Sequence, residues 1–283
     1  MEALLGGPVV EAVTQAGGFS PGAAVRVRGG NGRRAFVKAV TASLNTRCAE
    51  LYRDEARAMA TLPETAPAPR LLDSFEIDEW IILVFQDIEG RHPVTPWVRD
   101  ELDLVLDVVG RMADALTPAP SHAPEVGEMF GGSFTGWQRL TTEDTTGVDP
   151  WAVRNLDALA ELESGWAEAA RGDTLLHGDL RSDNILISGD EVYVVDWAYP
   201  CVGAPWFDVL GMLPSITLEG GPRPAELLTD PDPRMTSVLA AITGYFVRQS
   251  RQPPPPGIPT VRAFQAAQGE VALDWLRERT GWA

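Results

Sequence analysis

The sequence predicts an α+β chain in two lobes: a small N-terminal antiparallel sheet lobe over residues 1–88 and a larger, mainly helical C-terminal lobe over 89–283. Two observations carry this. Segments of alternating polarity joined by glycine-rich turns fill the first part of the chain, and long segments of helical periodicity fill most of the rest. The polar stretch QDIEGRHP (86–93), with Gly90 and Pro93, reads as the linker between them.

Each element has its reason. Residues 10–40 read as β structure, with GGFSPG (17–22) as a turn-rich loop. AAVRVR (23–28) and RAFVKAV (34–40) alternate with period two, and GGNG (29–32) supplies a hairpin turn. Phe36, Lys38 and Val40 then share one face. Lys38 is the only lysine, against 22 arginines. A polar side chain on such a face either lies at an edge or has a partner. Residues 45–62 read as a helix, with Ser43 or Asn45 as N-cap and Pro63 as the stop. Leu51, Glu55, Ala58, Met59 and Leu62 make one stripe of it, so Glu55 falls inside an apolar face. A buried carboxylate is costly without a cation or donors. That gives the strand lysine and the helix glutamate a reason to meet; a glutamate reaching water from the margin of the stripe is the open alternative.

APAPRLLDSFEIDEWIILVF (66–85) supplies a proline-rich connector and two more strands. Helices follow at about 99–116 and about 150–171, separated by a Pro, Gly, Ser and Thr-rich stretch (118–149) that predicts a loop or short-helix insert. NILIS (184–188) and VYVVD (192–196) predict two short strands around the turn GDE. Helices at roughly 206–213, 234–250 and 258–280 complete the chain, the last two separated by QPPPP (252–256).

Composition narrows the partners. A net charge of −17 argues against nucleic acid and anionic membrane surfaces, which need basic patches. It suits a cationic ligand, and equally serves solubility alone. MEALLGGPVVEAV lacks the basic start and long apolar core of a signal peptide, and the longest apolar run, WIILVF (80–85), is too short to span a bilayer. The expectation is a cytoplasmic protein. Cys48 and Cys201 lack metal-ligand spacing and read as reduced and structural, with a disulfide between them left open.

The chemistry concentrates in LLHGDLRSDNILI (175–187) and VYVVDWAYP (192–200). Asp179 and Asn184 stand five apart in a loop, and Asp196 ends a strand. A hairpin from Asn184 to Asp196 brings an amide oxygen and a carboxylate to one edge, a hard-oxygen pair of the kind Mg2+ uses while keeping waters and phosphate oxygens. Asp179, not needed as a ligand, is free to accept a proton from a hydroxyl. With a lysine from the N-terminal hairpin these are the parts of a phosphoryl-transfer site.

H-G-D-L-x-x-D-N followed by V-D-W resembles the aminoglycoside phosphotransferase and choline kinase family, relatives of protein kinases with the same two-lobed fold. His177, Asp179 and Asn184 match the kinase pattern H-x-D-x-x-x-x-N, and Asp196, Trp197 and Ala198 hold the place of D-F-G. Lys38 in FVKAV sits where the third-strand lysine belongs, Glu55 in RDEARAM where its helix partner belongs, and Asp208 in APWFD where a structural aspartate belongs. The resemblance spans about residues 15–215, and the C-terminal tail resembles actinobacterial members. It implies a protein-kinase-like fold using ATP or GTP with Mg2+. Lys38, held by Glu55, would contact the α and β phosphates; Asp179 would orient the acceptor hydroxyl and take its proton; Asn184 and Asp196 would bind Mg2+. Gln86 to Ile88 would hold the base through backbone groups. His177 would brace its loop. Arg181 would steady the transferring phosphate or serve as an exposed loop arginine. GGFSPG departs from the kinase G-x-G-x-x-G. Gly17, Gly18 and Gly22 still leave room for the amides of Phe19 and Ser20 to approach phosphate, a plain hairpin turn being the other reading.

The expected acceptor is a small hydroxylated molecule, because only 11 residues separate Asp196 from Asp208 and no activation segment with A-P-E fits there. Residues 100–173 carry 15 acidic side chains against four basic ones. That balance points either to a cationic acceptor such as an aminoglycoside, an amino sugar or an amino alcohol, or to solvated helix faces. Trp97, Trp137, Trp151, Trp166 and Trp197 either stack on a sugar or cation or pack in the core. Three readings follow: an O-phosphotransferase of antibiotics, a kinase of primary metabolites, and a catalytically silent nucleotide-binding module, as monomer or homodimer. Intact Lys38, Asp179, Asn184 and Asp196 argue against the last.

Overall fold

The computed structural model describes residues 2–15, 22–120, 123–255 and 259–283. In chain order its first elements are α1 (Glu2–Leu5), β1 (Val9–Thr14), β2 (Ala23–Gly29), β3 (Arg34–Thr41), α2 (Thr46–Met59), β4 (Leu71–Ile77) and β5 (Trp80–Phe85). The middle is a long helix followed by five shorter ones: α3 (Arg99–Ala115), then α4 (Val126–Phe130), α5 (Gly136–Leu140), α6 (Pro150–Arg154), α7 (Leu156–Ser164) and α8 (Trp166–Ala169). Then come β6 (Thr174–Leu176), a 3-10 turn (Ser182–Asn184), β7 (Ile185–Ser188), β8 (Glu191–Val194) and β9 (Cys201–Gly203). The chain ends with α9 (Phe207–Leu218), α10 (Pro224–Leu227), α11 (Pro233–Gln249) and α12 (Val261–Thr280). The architecture is two-lobed, with a small N-terminal antiparallel sheet and a larger, mainly helical C-terminal region.

One compact unit comprises residues 1–93 together with 182–200. Its sheet runs β1-β2-β3-β5-β4, antiparallel throughout. The β2–β3 turn needs Gly32, whose φ of +85° lies in the left-handed region. Strand alternation sorts the side chains. Val27, Ala35 and Val84 bury one face with Leu5 of α1, while Lys38, Val40, Ile81 and Leu83 are buried on the other. Helix α2 packs on β3 and β5. Asn45 caps it, its side chain accepting the Cys48 amide at 3.0 Å. The buried stripe of α2 is Ala49, Tyr52, Glu55, Ala58 and Met59; Leu51 and Leu62 are only half-buried, so the stripe is rotated from the expected one and keeps Glu55 at its centre. Strands β7 and β8 pair with each other. They join this unit through Arg91 and Ile187, which exchange backbone hydrogen bonds of 3.0 and 2.7 Å, and through the Val194 amide on the Pro67 carbonyl at 2.6 Å.

The second unit comprises residues 94–181 and 201–283. Helix α11 packs on α12 and also on α5, α7, α8 and α9, and β6 pairs with β9. The single helix expected over 150–171 is three helices. Asn155 ends α6, its amide side chain donating to the Trp151 carbonyl at 3.0 Å, and Gly165, a poor helix former, separates α7 from α8. The helix expected to stop at 213 instead runs through Pro214 to Leu218. Phe207, Leu210, Met212, Leu213 and Ile216 are buried along it, and that packing outweighs the missing proline donor. Cys48 and Cys201 are not joined in a disulfide; burial pushes the Cys201 thiol up. Among the described residues no helix is long and apolar enough to cross a membrane.

Helices α5 and α11 meet at two glycines. A Cβ on Gly136 would lie 2.0 Å from the Gly244 carbonyl oxygen, and one on Gly244 would lie 2.6 Å from Glu163 Oε1. Backbone cannot yield as a side-chain tip can. Gly136→Ala is therefore expected to destabilise the protein by about 3 kcal/mol or more. Gly110→Ala, mid-α3 with nothing within 4 Å of the new carbon, should be neutral or slightly stabilising. Urea midpoints of the two variants check the contrast; equal midpoints would refute the close approach.

Candidate functional site

Lys38 stands at the centre of β3, opposite Ala24 of β2 and Leu83 of β5. Its ammonium donates to Glu55 Oε2 at 2.6 Å and to Asp196 Oδ1 at 2.5 Å, and lies 4.9 Å from the centre of the Tyr52 ring. Burial alone would lower the lysine pKa, but the charges of Glu55 and Asp196 more than offset it and raise it. Glu55 is 1% exposed; burial pushes its carboxyl up to about 7, against the pull of Lys38. The strand lysine and the helix glutamate do meet.

Asp196 lies beyond β8, which ends at Val194 rather than at 196 as the sequence suggested. Its φ of +66° places a non-glycine residue in the left-handed region, one that Asp tolerates better than most. The turn is held on both sides. The Val195 amide donates to the Asn184 carbonyl at 2.9 Å, and the fully buried Trp197 donates through its indole to the Val194 carbonyl at 3.1 Å. The strained backbone aims a carboxylate at Lys38 while leaving the Asp196 side chain 45% exposed. Asn184 is buried and closes the 3-10 turn before β7, so the strand starts one residue later than expected. Among the described residues no group of three or more carboxylate, imidazole or thiolate side chains could hold a metal unaided.

The linker carries its own charge cluster. Asp87, its side chain 3% exposed, pairs with Arg34 at 2.7 Å and with Arg26 at 3.2 Å, while Arg34 also pairs with Glu89. Arg26 donates through Nη2 to the Ile88 carbonyl at 2.9 Å, which also accepts the Gly90 amide at 3.0 Å. The Gln86 amide donates to the Arg70 carbonyl at 2.9 Å. Sequence reasoning missed this brace. Arg34 pairs with Arg28 across the β2–β3 hairpin and Arg26 lies two residues away along β2, opposite Phe36, and Asp87 with Glu89 follow two residues apart, but their meeting is a tertiary fact. The expected phosphate-loop residues Gly18, Phe19 and Ser20 lie outside the described residues.

The second unit positions Asp179. Asp208, at the start of α9, accepts the backbone amides of His177 at 2.8 Å and Gly178 at 2.9 Å, which fixes the loop. Burial pushes the Asp208 carboxyl up, opposed by His177 and these two donors. Gly178 has φ +80°, and fully buried His177 accepts the Asp179 amide on Nδ1 at 3.2 Å. Arg181 donates to Asp179 Oδ1 at 2.7 Å, and its guanidinium lies 5.5 Å from the centre of the Phe264 ring of α12. Tyr245 of α11 is raised by burial and by the charge of Asp179. Phe264 and Tyr245 carry no motif and escape a reading of sequence alone.

The tryptophans expected to stack on an acceptor are all buried. Many acids of 100–173 are engaged within the fold. Asp103 pairs with Arg99, Asp107 with Arg111, Glu125 and Glu168 with Arg171, Glu143 with Arg248, and Asp149 with Arg277. Fully buried Glu163 accepts the amides of Trp137 and Gln138 at 3.1 and 2.9 Å, capping α5; burial raises its carboxyl.

Residues 14–230 match the model of the phosphotransferase enzyme family, and the chain belongs to that family. Its fold is similar to that of a thermostable mutant of aminoglycoside phosphotransferase APH(4)-Ia in ternary complex with ADP and hygromycin B. That match has a TM-score of 0.67 and 16% identity, covering 100% of this chain and 98% of the other. An amicoumacin kinase in complex with AMP-PNP and Ca2+ matches with TM-score 0.60 and 13% identity over 93% of this chain and 88% of that one. A putative fructosamine-3-kinase from Haemophilus somnus matches with TM-score 0.57 and 13% identity over 96% and 94%. At these identities the likeness is one of fold. No curated protein matches the sequence.

The buried pair has a consequence for stability. Lys38→Met leaves Glu55 without its cation and pushes that carboxyl further above its unfolded value near 4.5. A carboxyl with a raised folded pKa holds its proton more tightly when folded, so stability falls as pH rises through the window between the two values. The variant should lose about 3 kcal/mol near pH 8 and clearly less near pH 5. Lys38→Met with Glu55→Gln should recover most of the loss. Denaturant unfolding at both pH values checks this; a pH-independent loss would refute it.

Proposed function

We propose that this protein is a small-molecule kinase that moves the γ-phosphate of ATP to a hydroxyl of a small acceptor. The Lys38–Glu55–Asp196 constellation carries this reading. A lone ammonium is held on a central strand by a buried glutamate and by an aspartate on a strained turn, and the H-G-D-L-x-x-D-N segment supplies the remaining groups. Residues 1–88 act as the nucleotide-binding lobe and 89–283 as the catalytic and substrate-binding lobe. Lys38 binds the α and β phosphates, and Glu55 keeps it charged and in place. Asn184 and Asp196 hold Mg2+. Two hard oxygens fit a cation that keeps waters and phosphate oxygens, and the half-exposed Asp196 carboxylate has room to take such a ligand. When bound, the cation neutralises charge on those oxygens. Gly18, Phe19 and Ser20 are assigned to the phosphates, and Gln86 and Ile88 to the base. Asp179 orients the acceptor hydroxyl and takes its proton, with His177 and Asp208 fixing its loop. Positioning does most of the catalysis, because the transferring phosphoryl group is loosely bonded in the transition state.

A hydroxylated antibiotic is the favoured acceptor class, and a sugar or amino alcohol of primary metabolism is the second. The acidic balance of 100–173 supports a cationic acceptor less than the bare count implies, since Glu163 is a buried cap and Asp103, Asp107, Glu143 and Asp149 are paired with arginines.

Asp179→Asn should lower phosphoryl transfer by about 100-fold or more while Mg-ATP affinity stays near wild type. Lys38→Arg should lose most activity, because a planar fork does not replace a compact ammonium between two carboxylates. The assay is coupled ADP release over aminoglycosides, other hydroxylated antibiotics, amino sugars and choline-like alcohols. Full turnover by Asp179→Asn would sink its role as base. Mg-ATP binding with no turnover on any hydroxyl compound would favour a silent module.

A further inference from the structure

We propose that Arg26 makes this protein selective for adenine over guanine nucleotides by closing the Ile88 carbonyl. The inference rests on the reading of Gln86–Ile88 as the segment that holds the base. In that reading the segment would offer a purine, in chain order, the Gln86 carbonyl, the Ile88 amide and the Ile88 carbonyl: acceptor, donor, acceptor. Adenine needs the first two, for its exocyclic amine and its adjacent ring nitrogen. Guanine presents a carbonyl where adenine has the amine and an N–H where adenine has the bare nitrogen, so in that register both contacts are repulsive. It must slide by one position, setting its carbonyl on the Ile88 amide and its ring N–H on the Ile88 carbonyl.

That carbonyl is already engaged twice. Arg26 Nη2 donates to it at 2.9 Å and the Gly90 amide at 3.0 Å, which uses both lone pairs. Arg26 also faces a buried charge: Asp87 Oδ1 lies 3.2 Å from its Nε without a hydrogen bond between them, and the same carboxylate, its side chain 3% exposed, pairs with Arg34. Gly90 is fixed: a Cβ there would meet the Ile187 carbonyl oxygen at 3.0 Å. A guanine ring N–H brought to this segment is left without an acceptor, whereas adenine loses nothing.

The test is titration calorimetry of the full chain with Mg-ATP and Mg-GTP, for wild type, Arg26→Ala, Arg26→Met and Arg34→Ala. Wild type is expected to prefer ATP by about tenfold or more, the scale of one unpaired polar group. Arg26→Ala and Arg26→Met, the second keeping the apolar stem, should bring the two affinities within about threefold, mainly by improving GTP. Arg34→Ala removes the other contacts to Asp87 and Glu89 but not the donor on Ile88, and should keep the wild-type ratio. Equal affinities in wild type, a preference for GTP, or an unchanged ratio in the Arg26 variants would overturn the proposal while leaving the nucleotide site intact. Binding of neither nucleotide would overturn the underlying reading instead. Equal wild-type affinities would overturn the proposal even if an Arg26 variant fails to fold.

Discussion

A single buried ammonium organises the first unit. Lys38 comes from a strand, Glu55 from the helix packed on it, and Asp196 from a turn 158 residues further along the chain. An uncompensated charge at this depth would cost several kcal/mol. The fold therefore has to deliver two carboxylates to one nitrogen, and much local structure follows from that demand. Helix α2 must present position 55 inward. The β7–β8 hairpin must end early enough for the chain to turn, and the turn must accept a left-handed Asp196, held by Trp197 on one side and by the Asn184–Val195 hydrogen bond on the other. Two carboxylates around one ammonium leave an excess negative charge, and Asp196 is the half-exposed one. In the proposed mechanism it is also the one that would hold a metal.

The sequence made this triad partly legible. Period-two alternation places Lys38 inward, and helical periodicity places Glu55 in an apolar stripe; each is anomalous alone, and one charge pair resolves both. The third member was not legible as a lysine partner. Asp196 is marked by its motif as a metal ligand, and only the backbone reversal after Val194 brings it to Lys38. Element ends misled for physical reasons as well. A periodic pattern over 150–171 reads as one helix, yet Asn155 and Gly165 cut it, because a side-chain amide and a flexible backbone offer the chain other hydrogen bonds and conformations. The helix expected at roughly 206–213 ends short of Pro214, yet a helix buried along so much of its length continues past it. Local rules yielded to packing at both places, in opposite directions.

The second unit solves a different problem, that of holding an aspartate still on a loop. Asp208 spends both carboxylate oxygens on consecutive loop amides, and His177 spends a ring nitrogen on the amide of Asp179 itself. These bonds fix the backbone, and Arg181 fixes the side chain while resting on Phe264. The H-G-D-L-R stretch is thus more than a list of reacting groups. Its glycine adopts φ +80° so that two amides can converge on one carboxylate, and its arginine reaches back to the aspartate two residues before it.

Charge counted by sequence and charge arranged in space lead to different views of the acceptor. The excess of acids over 100–173 suggests a surface inviting cations, but several of those acids pair with arginines from α3, α11 and α12, and Glu163 never reaches solvent. The group bonded to Asp179 is a guanidinium, and the aromatic side chains of Phe264 and Tyr245 belong to the same neighbourhood. In the proposed mechanism a polycation that sets its hydroxyl on Asp179 would bring its charges close to the Arg181 guanidinium, and would displace that arginine or keep its own charges at a distance. A hydroxyl on an uncharged ring has neither requirement. Under the proposed function, acceptor choice would therefore be set less by the net charge of −17 than by how far the acceptor's amines lie from the hydroxyl that reacts.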